Sequence, residues 1–244
     1  MRIDVLTIFP ELFEPVLSVS IPGRARAAGL VDWRITDIRR HADNKHNKVD
    51  DRPFGGGPGM VMSCQPLWDA VRHAEGLDPT PATRILLTPQ GRPLTQATVE
   101  DLATRPRLLV IAGHYEGVDE RVVERLAPME LSVGDFVLSG GEIPALALID
   151  AVVRLLPGAL GHEASADEDS FSIDPDDGRR LLDCPHYTRP REWEGRPVPD
   201  VLLSGDHGAV RRWRLQQRLD RTARRRPDLL RQTTDEHPPP EPTP

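Results

Sequence analysis

Two cysteines, Cys64 and Cys184, are all that the 244 residues contain, 120 positions apart and outside any C-x-x-C arrangement. So few thiols exclude a disulfide framework, speak against a cysteine-built zinc or redox centre, and fit a reducing compartment with both cysteines as buried bystanders. Nowhere do about eighteen apolar residues run together, so no membrane-spanning helix is expected. Met1 leads straight into RIDVLTIF with neither a basic-then-apolar leader nor a small-residue cleavage site, and a cytoplasmic location is the expectation. No G-x-G-x-x-G follows that first β-rich run and no G-x-x-x-x-G-K-S/T occurs anywhere, which removes the Rossmann fingerprint and the phosphate-cradling P-loop. Lysine is nearly absent: Lys45 and Lys48 are the only two among 31 Lys and Arg residues, a bias that a coding genome explains as well as any function. The net charge of -7 argues against a chain that coats nucleic acid indiscriminately, although it hides how the charge is laid out.

What is there suffices for one large domain and a smaller one. To about residue 156, short β-rich runs alternate with helical patterns, the signature of an α/β domain on a largely parallel sheet. The strand candidates are residues 2–9, 31–38, 84–88, 108–113 and 130–135. Ser63 and Thr95 are placed to cap helices running to about Glu75 and Thr104, and residues 118–127 carry a third. The strongest helical pattern is SGGEIPALALIDAVVRLLPG, where Ser139 and Glu142 have capping-box spacing and Ile143, Leu146, Ile149, Val153 and Leu156 recur at helical intervals before Pro157 and Gly158. Arg154 in its last turn either complements the negative helix end or aims a charge at a substrate, and spacing does not choose.

The charge is lopsided. Seven acids and no Lys or Arg fall within 163–177, read as part of a flexible acidic linker over 161–180. From Asp206 to Arg231 there are nine arginines against three aspartates, with Arg211, Arg212, Arg214, Arg218, Arg221, Arg224, Arg225 and Arg226 on one expected helix and Trp213 among them. A polyanion is the expected partner of that segment. The proline-rich end, 233–244, reads as a disordered tail.

Glycine marks the places where chemistry is expected. DDRPFGGGPGM, residues 50–60, sets four glycines and two prolines into the eight positions from Pro53, which no helix or strand interior tolerates. Two further glycine-rich stretches, AGHYEGVDE (112–120) and SVGDFVLSGGE (132–142), follow later strands. Open α/β sheets bind ligands beyond the carboxyl ends of their strands, and two such loops can frame a flat, uncharged ring by backbone contacts. A nucleoside without phosphates fits, S-adenosylmethionine is one, and Glu116 between Gly113 and Gly117 suits its cationic end.

DNKHNKVDDRPFGGGPGM, LLTPQGRPL, GHYEGVDERV, ELSVGDFVLSGGE, EDSF, LLDCPHYTRP and VLLSGDH occur in an order and spacing that resemble the bacterial tRNA (guanine-N(1)-)-methyltransferases, the TrmD family of the SPOUT class, from about Met1 to Arg231. The resemblance implies an α/β, trefoil-knotted methyltransferase domain with a parallel sheet (1–160), the linker, a small and mostly helical tRNA-binding domain (181–232), and a homodimer with shared active sites. It implies that Leu87, Thr88, Pro89, Gly113, Glu116, Gly117, Val133, Gly134, Asp135, Phe136, Val137, Leu138, Gly140, Gly141 and Pro144 surround S-adenosylmethionine. His46, Asp50, Pro58, Gly59 and Ser165 would meet the substrate, guanosine at position 37 of tRNA, extruded from its stack.

Asp169 would be the base that takes the N(1) proton, and Arg154, from the other subunit, would stabilise charge growing on the neighbouring carbonyl oxygen. The like charges of Asp167 and Glu168 beside Asp169 favour its protonated form. The family's magnesium requirement carries over with no carboxylates assigned to the ion, and the spacing of His41 and His46 is weak evidence for a metal. The chain departs from the family pattern at His114, where arginine is usual, at the longer SIDPDDGRR, and at Asp206, where asparagine is common. Two other readings are a catalytically dead RNA-binding knot and a sister methyltransferase acting on ribosomal RNA or a ribose hydroxyl; the first expects Asp169, Arg154 or the glycines to be lost, the second expects EDSF and PHYTRP to be missing.

Overall fold

The computed structural model describes residues 1–160, 169–174 and 178–230. The chain divides into two compact units, Met1–Gly161 and His162–Pro244. In the first unit the elements are β1 (Arg2–Thr7), α1 (Glu14–Leu17), α2 (Ser20–Ala27), β2 (Asp32–Asp37), β3 (Asp50–Asp51), β4 (Val61–Met62), α3 (Cys64–Gly76), β5 (Thr83–Pro93), α4 (Gln96–Ala103), β6 (Arg107–Ala112), α5 (Glu120–Leu126), β7 (Met129–Ser132) and α6 (Glu142–Val153). Five strands form one parallel sheet in the order β2-β1-β6-β5-β7.

The order follows from which runs can be buried on both faces. β6, RLLVIA, has no exposed residue and takes the centre, as the apolar run Leu108–Ala112 suits. Strand alternation then sorts the core into two layers. Ile3, Val5, Ile85, Leu87, Leu108 and Val110 pack on one side with apolar residues of α1, α2, α4 and α6. Leu6, Leu86, Leu109 and Ile111 pack on the other with α3 and α5.

The expected α/β class and all five sheet strands are present; the short β3–β4 ladder was not foreseen, and further differences concern β5 and the first helices. β5 runs to Pro93, because beyond a register shift Arg92 and Pro93 pair with Leu131 and Ser132 of β7. α1 and α2 were not foreseen, since Pro15, Pro22 and Gly23 inside them are breakers in a sequence reading.

Caps divide in the same way. Thr95 Oγ1 accepts from the Thr98 N–H at 3.3 Å and starts α4 as expected, whereas Ser63 makes no capping bond to α3. The capping box expected at α6 does not form: Gly141 is the N-cap, and Glu142 is buried for another purpose. Ile143, counted with the apolar stripe, is 58% exposed. Arg154 is the C-cap residue of α6, its N–H turned to the Asp150 carbonyl.

In the second unit, Phe171 N–H donates to Leu181 O and Asp174 N–H to Arg179 O, both at 2.8 Å. Then come β8 (Glu192–Trp193), β9 (Arg196–Pro197) and α7 (His207–Arg225). Asp206 caps α7, accepting from the Gly208 and Ala209 N–H groups at 2.9 and 3.0 Å, so a carboxylate serves there as well as an amide. The arginine stripe of α7 is not uniformly outward. Arg218 reaches Ser172 Oγ at 3.3 Å and lies 3.7 Å from the buried Asp174, and Arg221 donates to the Asp183 carbonyl. Arg211, Arg212 and Arg225 are exposed and make no ion pair among the described residues. Of the acidic linker, residues 161–168 and 175–177 lie outside the described residues, as does the proline-rich end.

Candidate active site

Three loops leave the carboxyl ends of adjacent parallel strands: 88–91 within β5, 113–119 after β6 and 133–141 after β7. Between them lies a cavity of about 300 Å³, at the low end of the size that takes a cofactor-sized ligand. Leu87, Thr88, Pro89, Gly113, Glu116, Gly117, Val133, Phe136, Val137, Leu138, Gly140, Gly141 and Pro144 line it. Gly134 and Asp135 belong to the same loop but are not among the lining residues. Not assigned to the cavity from the sequence, but also lining it, are Gln90, His114, Tyr115, Glu120, Glu130 and Ser132 among others; all of these but Glu120 and Glu130 stand one or two positions from a motif glycine or proline.

Close approach is what the last glycines supply. Gly141 N–H donates to Gly113 O at 2.6 Å. A Cβ at Gly141 would stand 2.8 Å from Gly113 N and 2.9 Å from Ala112 Cα, backbone that cannot move aside. One at Gly140 would run into the His114 ring and the Glu142 carboxylate. The chain leaving β7 is thereby held against the end of β6, across the end of β5.

Glu142 is the residue that the capping-box reading misjudged. It is 3% exposed, and its carboxylate accepts from Thr7 Oγ1 at 3.0 Å and lies 3.3 Å from His114 Nδ1. Thr7 Oγ1 in turn accepts from the Phe9 N–H at 2.9 Å, and the Phe9 and Tyr115 rings flank His114 at 5.0 and 5.1 Å. A buried carboxylate needs such partners. Here they tie the end of β1, the pocket loop and the start of α6 together, so His114, in the position where arginine is usual, faces Glu142 instead of solvent. Tyr115 beside it has φ 63°, strained for a residue with a Cβ.

The glycine-rich stretch 55–60 lies along the same loop. Glu116 N–H donates to Met60 O at 3.0 Å, and Met62 N–H to Gly117 O at 2.9 Å. Gly59, at φ 78°, abuts the Glu116 side chain, which leaves no room for a Cβ. Pro58 next to it is exposed. Asp50 sits in β3, paired with Met62 of β4. His46 is exposed on a turn organised by Asn44, whose Oδ1 accepts from the His46 and Lys48 N–H groups. Ser165, Asp167 and Glu168 lie outside the described residues. Arg154 belongs to the first unit and Asp169 to the second, where the Asp169 carbonyl accepts from the Ser172 N–H at 3.2 Å.

At the far end of the pocket loop Asp119 caps α5, accepting from the Arg121 N–H at 3.1 Å and from its guanidinium at 2.8 Å. Arg121 beside it holds the Asp119 carboxyl far below the usual carboxylate range. Cys64 next to Asp119 is only half-buried, against expectation, and burial pushes its thiol up, away from the reactive thiolate. A carboxyl depressed in the folded state contributes stability above its unfolded value, near 4, and loses it as pH falls through the folded value. Asp119→Asn keeps a capping oxygen and removes the charge. It is expected to cost about 0.5–1 kcal/mol at pH 7, screening by solvent included, with the gap to the parent protein closing as urea melts are repeated toward pH 2; a gap of constant size would refute the charge argument. Among the described residues no group of three or more His, Cys, Asp or Glu is placed to hold a metal ion, so the magnesium expectation finds no ligand set there. Nor is any helix among them long and apolar enough to cross a membrane.

A family model described as tRNA (Guanine-1)-methyltransferase TrmD matches residues 1–232. The chain is 54% identical over 230 residues to a protein of Marinomonas sp. (strain MWYL1) named tRNA (guanine-N(1)-)-methyltransferase, covering 94% of this chain and 89% of that one. Proteins of the same name in Pseudomonas fluorescens (strain SBW25) and Rhodopirellula baltica are 54% and 52% identical, over 94% and 98% of this chain and 90% and 97% of theirs.

Proposed function

The chain belongs to the TrmD family of tRNA (guanine-1)-methyltransferases, and from that premise we propose that it transfers a methyl group from S-adenosylmethionine to N(1) of the guanosine at position 37 of tRNA, next to the anticodon. That it is a tRNA (guanine-N(1)-)-methyltransferase follows from the family; the donor, the position and the residue roles are our reading. The observation that carries it is the cavity itself. It is walled by backbone at Gly113, Gly140 and Gly141, has the carboxylate of Glu116 beside the Gly59 stretch, and lies in a chain with no phosphate-binding loop. A nucleoside joined to a cationic centre suits such a wall, and a nucleotide phosphate does not.

Bound S-adenosylmethionine supplies an electrophilic methyl on a positively charged sulfur. The chain's own residues then have two tasks. N(1) of neutral guanine carries a proton and is a poor nucleophile until that proton leaves, so Asp169 takes it, and the guanidinium of Arg154 stabilises the negative charge that builds on the adjacent carbonyl oxygen. The Gly59 stretch, laid against Glu116, forms the wall on which the base rests.

In this reading the two residues come from different protomers of a homodimer. Support comes from the apolar side chains left in the open beside the cavity, Val137 (82% exposed), Phe136, Leu138 and Ile143, which call for a covering partner. The held passage from β7 to the end of β6 supports the trefoil knot in the same way. We place the enzyme with its tRNA in the cytoplasm, and we assign the exposed arginines of α7 to tRNA phosphates.

Labelled S-adenosylmethionine incubated with the protein and with tRNA transcripts carrying guanosine or adenosine at position 37 tests the reading. Label on the first transcript alone, at N(1) of that guanosine after nuclease digestion, is the expected result. Label on both, or on neither, overturns it.

A further inference from the structure

We propose that the β8–β9 hairpin is a stacking platform for one unpaired base of the RNA substrate, with Trp193 as the platform and Arg191 and Arg196 gripping the phosphates on either side. The inference rests on the tRNA reading above and adds to it a second contact with the RNA.

The hairpin turns through two residues, Glu194 and Gly195, both at positive φ (50° and 73°), the geometry that joins twisted antiparallel strands most directly. Its pairing sets Trp193 opposite Arg196 and Glu192 opposite Pro197. The Val198 N–H donates to the Arg191 carbonyl at 2.8 Å, continuing the ladder one step toward the base. Because side chains alternate along each strand, Arg191, Trp193 and Arg196 share one face, and Glu192 falls on the other. The Glu192 carboxylate of REWEGR is therefore set on the face opposite its arginines by the pleat, and Glu194 lies in the turn, although the segment reads as a charge-balanced loop in sequence.

Among the described residues none pairs with or stacks on the charged and aromatic groups of that face. Trp193 is 59% exposed, and Arg191 and Arg196 are exposed and make no ion pair among the described residues. A single exposed apolar residue is ordinary, but an indole left in water between two unengaged guanidinium groups is an arrangement for a flat ring that carries an anion at each side. The other exposed aromatic of this unit, Tyr187, is already occupied against Trp213 at 6.3 Å. A base still paired in a helix presents no free face, so the ligand class is a nucleotide from a loop or a bulge. Beyond β9 the chain enters the turn Asp200–Leu203, which packs on α7, the helix that bears the exposed arginines.

The test uses the full-length protein and the guanosine-37 tRNA transcript, with a fully paired RNA hairpin of the same length as control. Trp193→Ala is expected to raise Kd for the tRNA about 5- to 150-fold, the equivalent of about 1–3 kcal/mol for one stacked base, with kcat at saturating tRNA and the melting temperature unchanged. Trp193→Phe should bind nearly as the parent does, and Trp193→Leu as poorly as Ala. Arg191→Gln with Arg196→Gln should lower the slope of log K against log salt by up to about 1.4–1.8. An unchanged Kd for Trp193→Ala, a rescue by Leu, or an equal loss on the paired control would overturn the platform. The parent protein is assayed for methyl transfer in the same preparation. Turnover there with unchanged binding in Trp193→Ala defeats the platform alone, whereas no turnover defeats the tRNA reading and the platform with it.

Discussion

Asp169→Ala is expected to lower kcat for methyl transfer by about 10²- to 10⁴-fold while calorimetry finds S-adenosylmethionine bound as in the parent. The size follows from the nucleophile: the lone pair of N(1) is free for the methyl group only once its proton has gone, and water is a poor and ill-placed substitute for a fixed carboxylate. The split between kcat and donor affinity follows from the role assigned to Asp169, which acts on the N(1) proton of the guanine and not on the donor. Asp169→Asn, of the same shape but without basicity, should fall as far as Ala. Arg154→Ala, losing the charge that balances the growing oxyanion, should also be nearly inactive. Mixed dimers carry the argument further. If each site takes Asp169 from one protomer and Arg154 from the other, random pairing of the two dead variants makes half the dimers mixed, each with one intact site, so about a quarter of parent turnover should return. No recovery from the mixture would refute the shared site, and a fall of less than about tenfold in Asp169→Ala would refute the base.

The second large effect concerns the opposite end of the sheet. Arg107→Met is expected to destabilise the protein by about 3–5 kcal/mol in urea unfolding, because removing one partner leaves the other's charge buried. Arg107 is 1% exposed, and Asp4 is wholly buried. The guanidinium donates from Nε to Asp4 Oδ2 at 2.8 Å, from Nη1 to the carbonyls of Asp78 and Thr80 at 2.6 and 2.9 Å, and from Nη2 to the Ala74 carbonyl at 2.6 Å. One side chain thus satisfies the end of α3 and the loop after it while joining β6 to β1. Arg2 also reaches Asp4, at 2.7 Å, but it is partly exposed and touches none of those carbonyls. Adding Asp4→Asn to Arg107→Met removes the stranded charge and should recover a good part of the loss, the coupling expected of contacting residues. A cost below about 1 kcal/mol for the single variant would show that water or rearrangement replaces the network.

These cases mark how far the residues could be read without coordinates. LLVIA within β6 reads as a buried strand because five apolar positions in a row suit burial on both faces. The cavity loops were legible as glycine-rich stretches after late strands, where parallel sheets bind ligands. Arg107 and Glu142 were not, because a charged residue beside an apolar run reads as a strand edge or a helix cap until its partners, Asp4 at 103 positions' distance and Thr7 at 135, are seen. The same holds for REWEGR, whose charges cancel along the chain while the pleat sets Glu192 on the face opposite Arg191 and Arg196.

The sequence by itself determined the α/β class, the positions of the five sheet strands, the family and the glycines of the cavity, since each is written in local periodicity or in motifs with no freedom of spacing. The tertiary structure alone decided which charges are buried and paired, which of the arginines on α7 are committed to the protein, and which face Trp193 shares. The reason is physical: backbone preference and apolar period act over a few residues, whereas the cost of burying a charge is met only by groups that the fold brings from far along the chain.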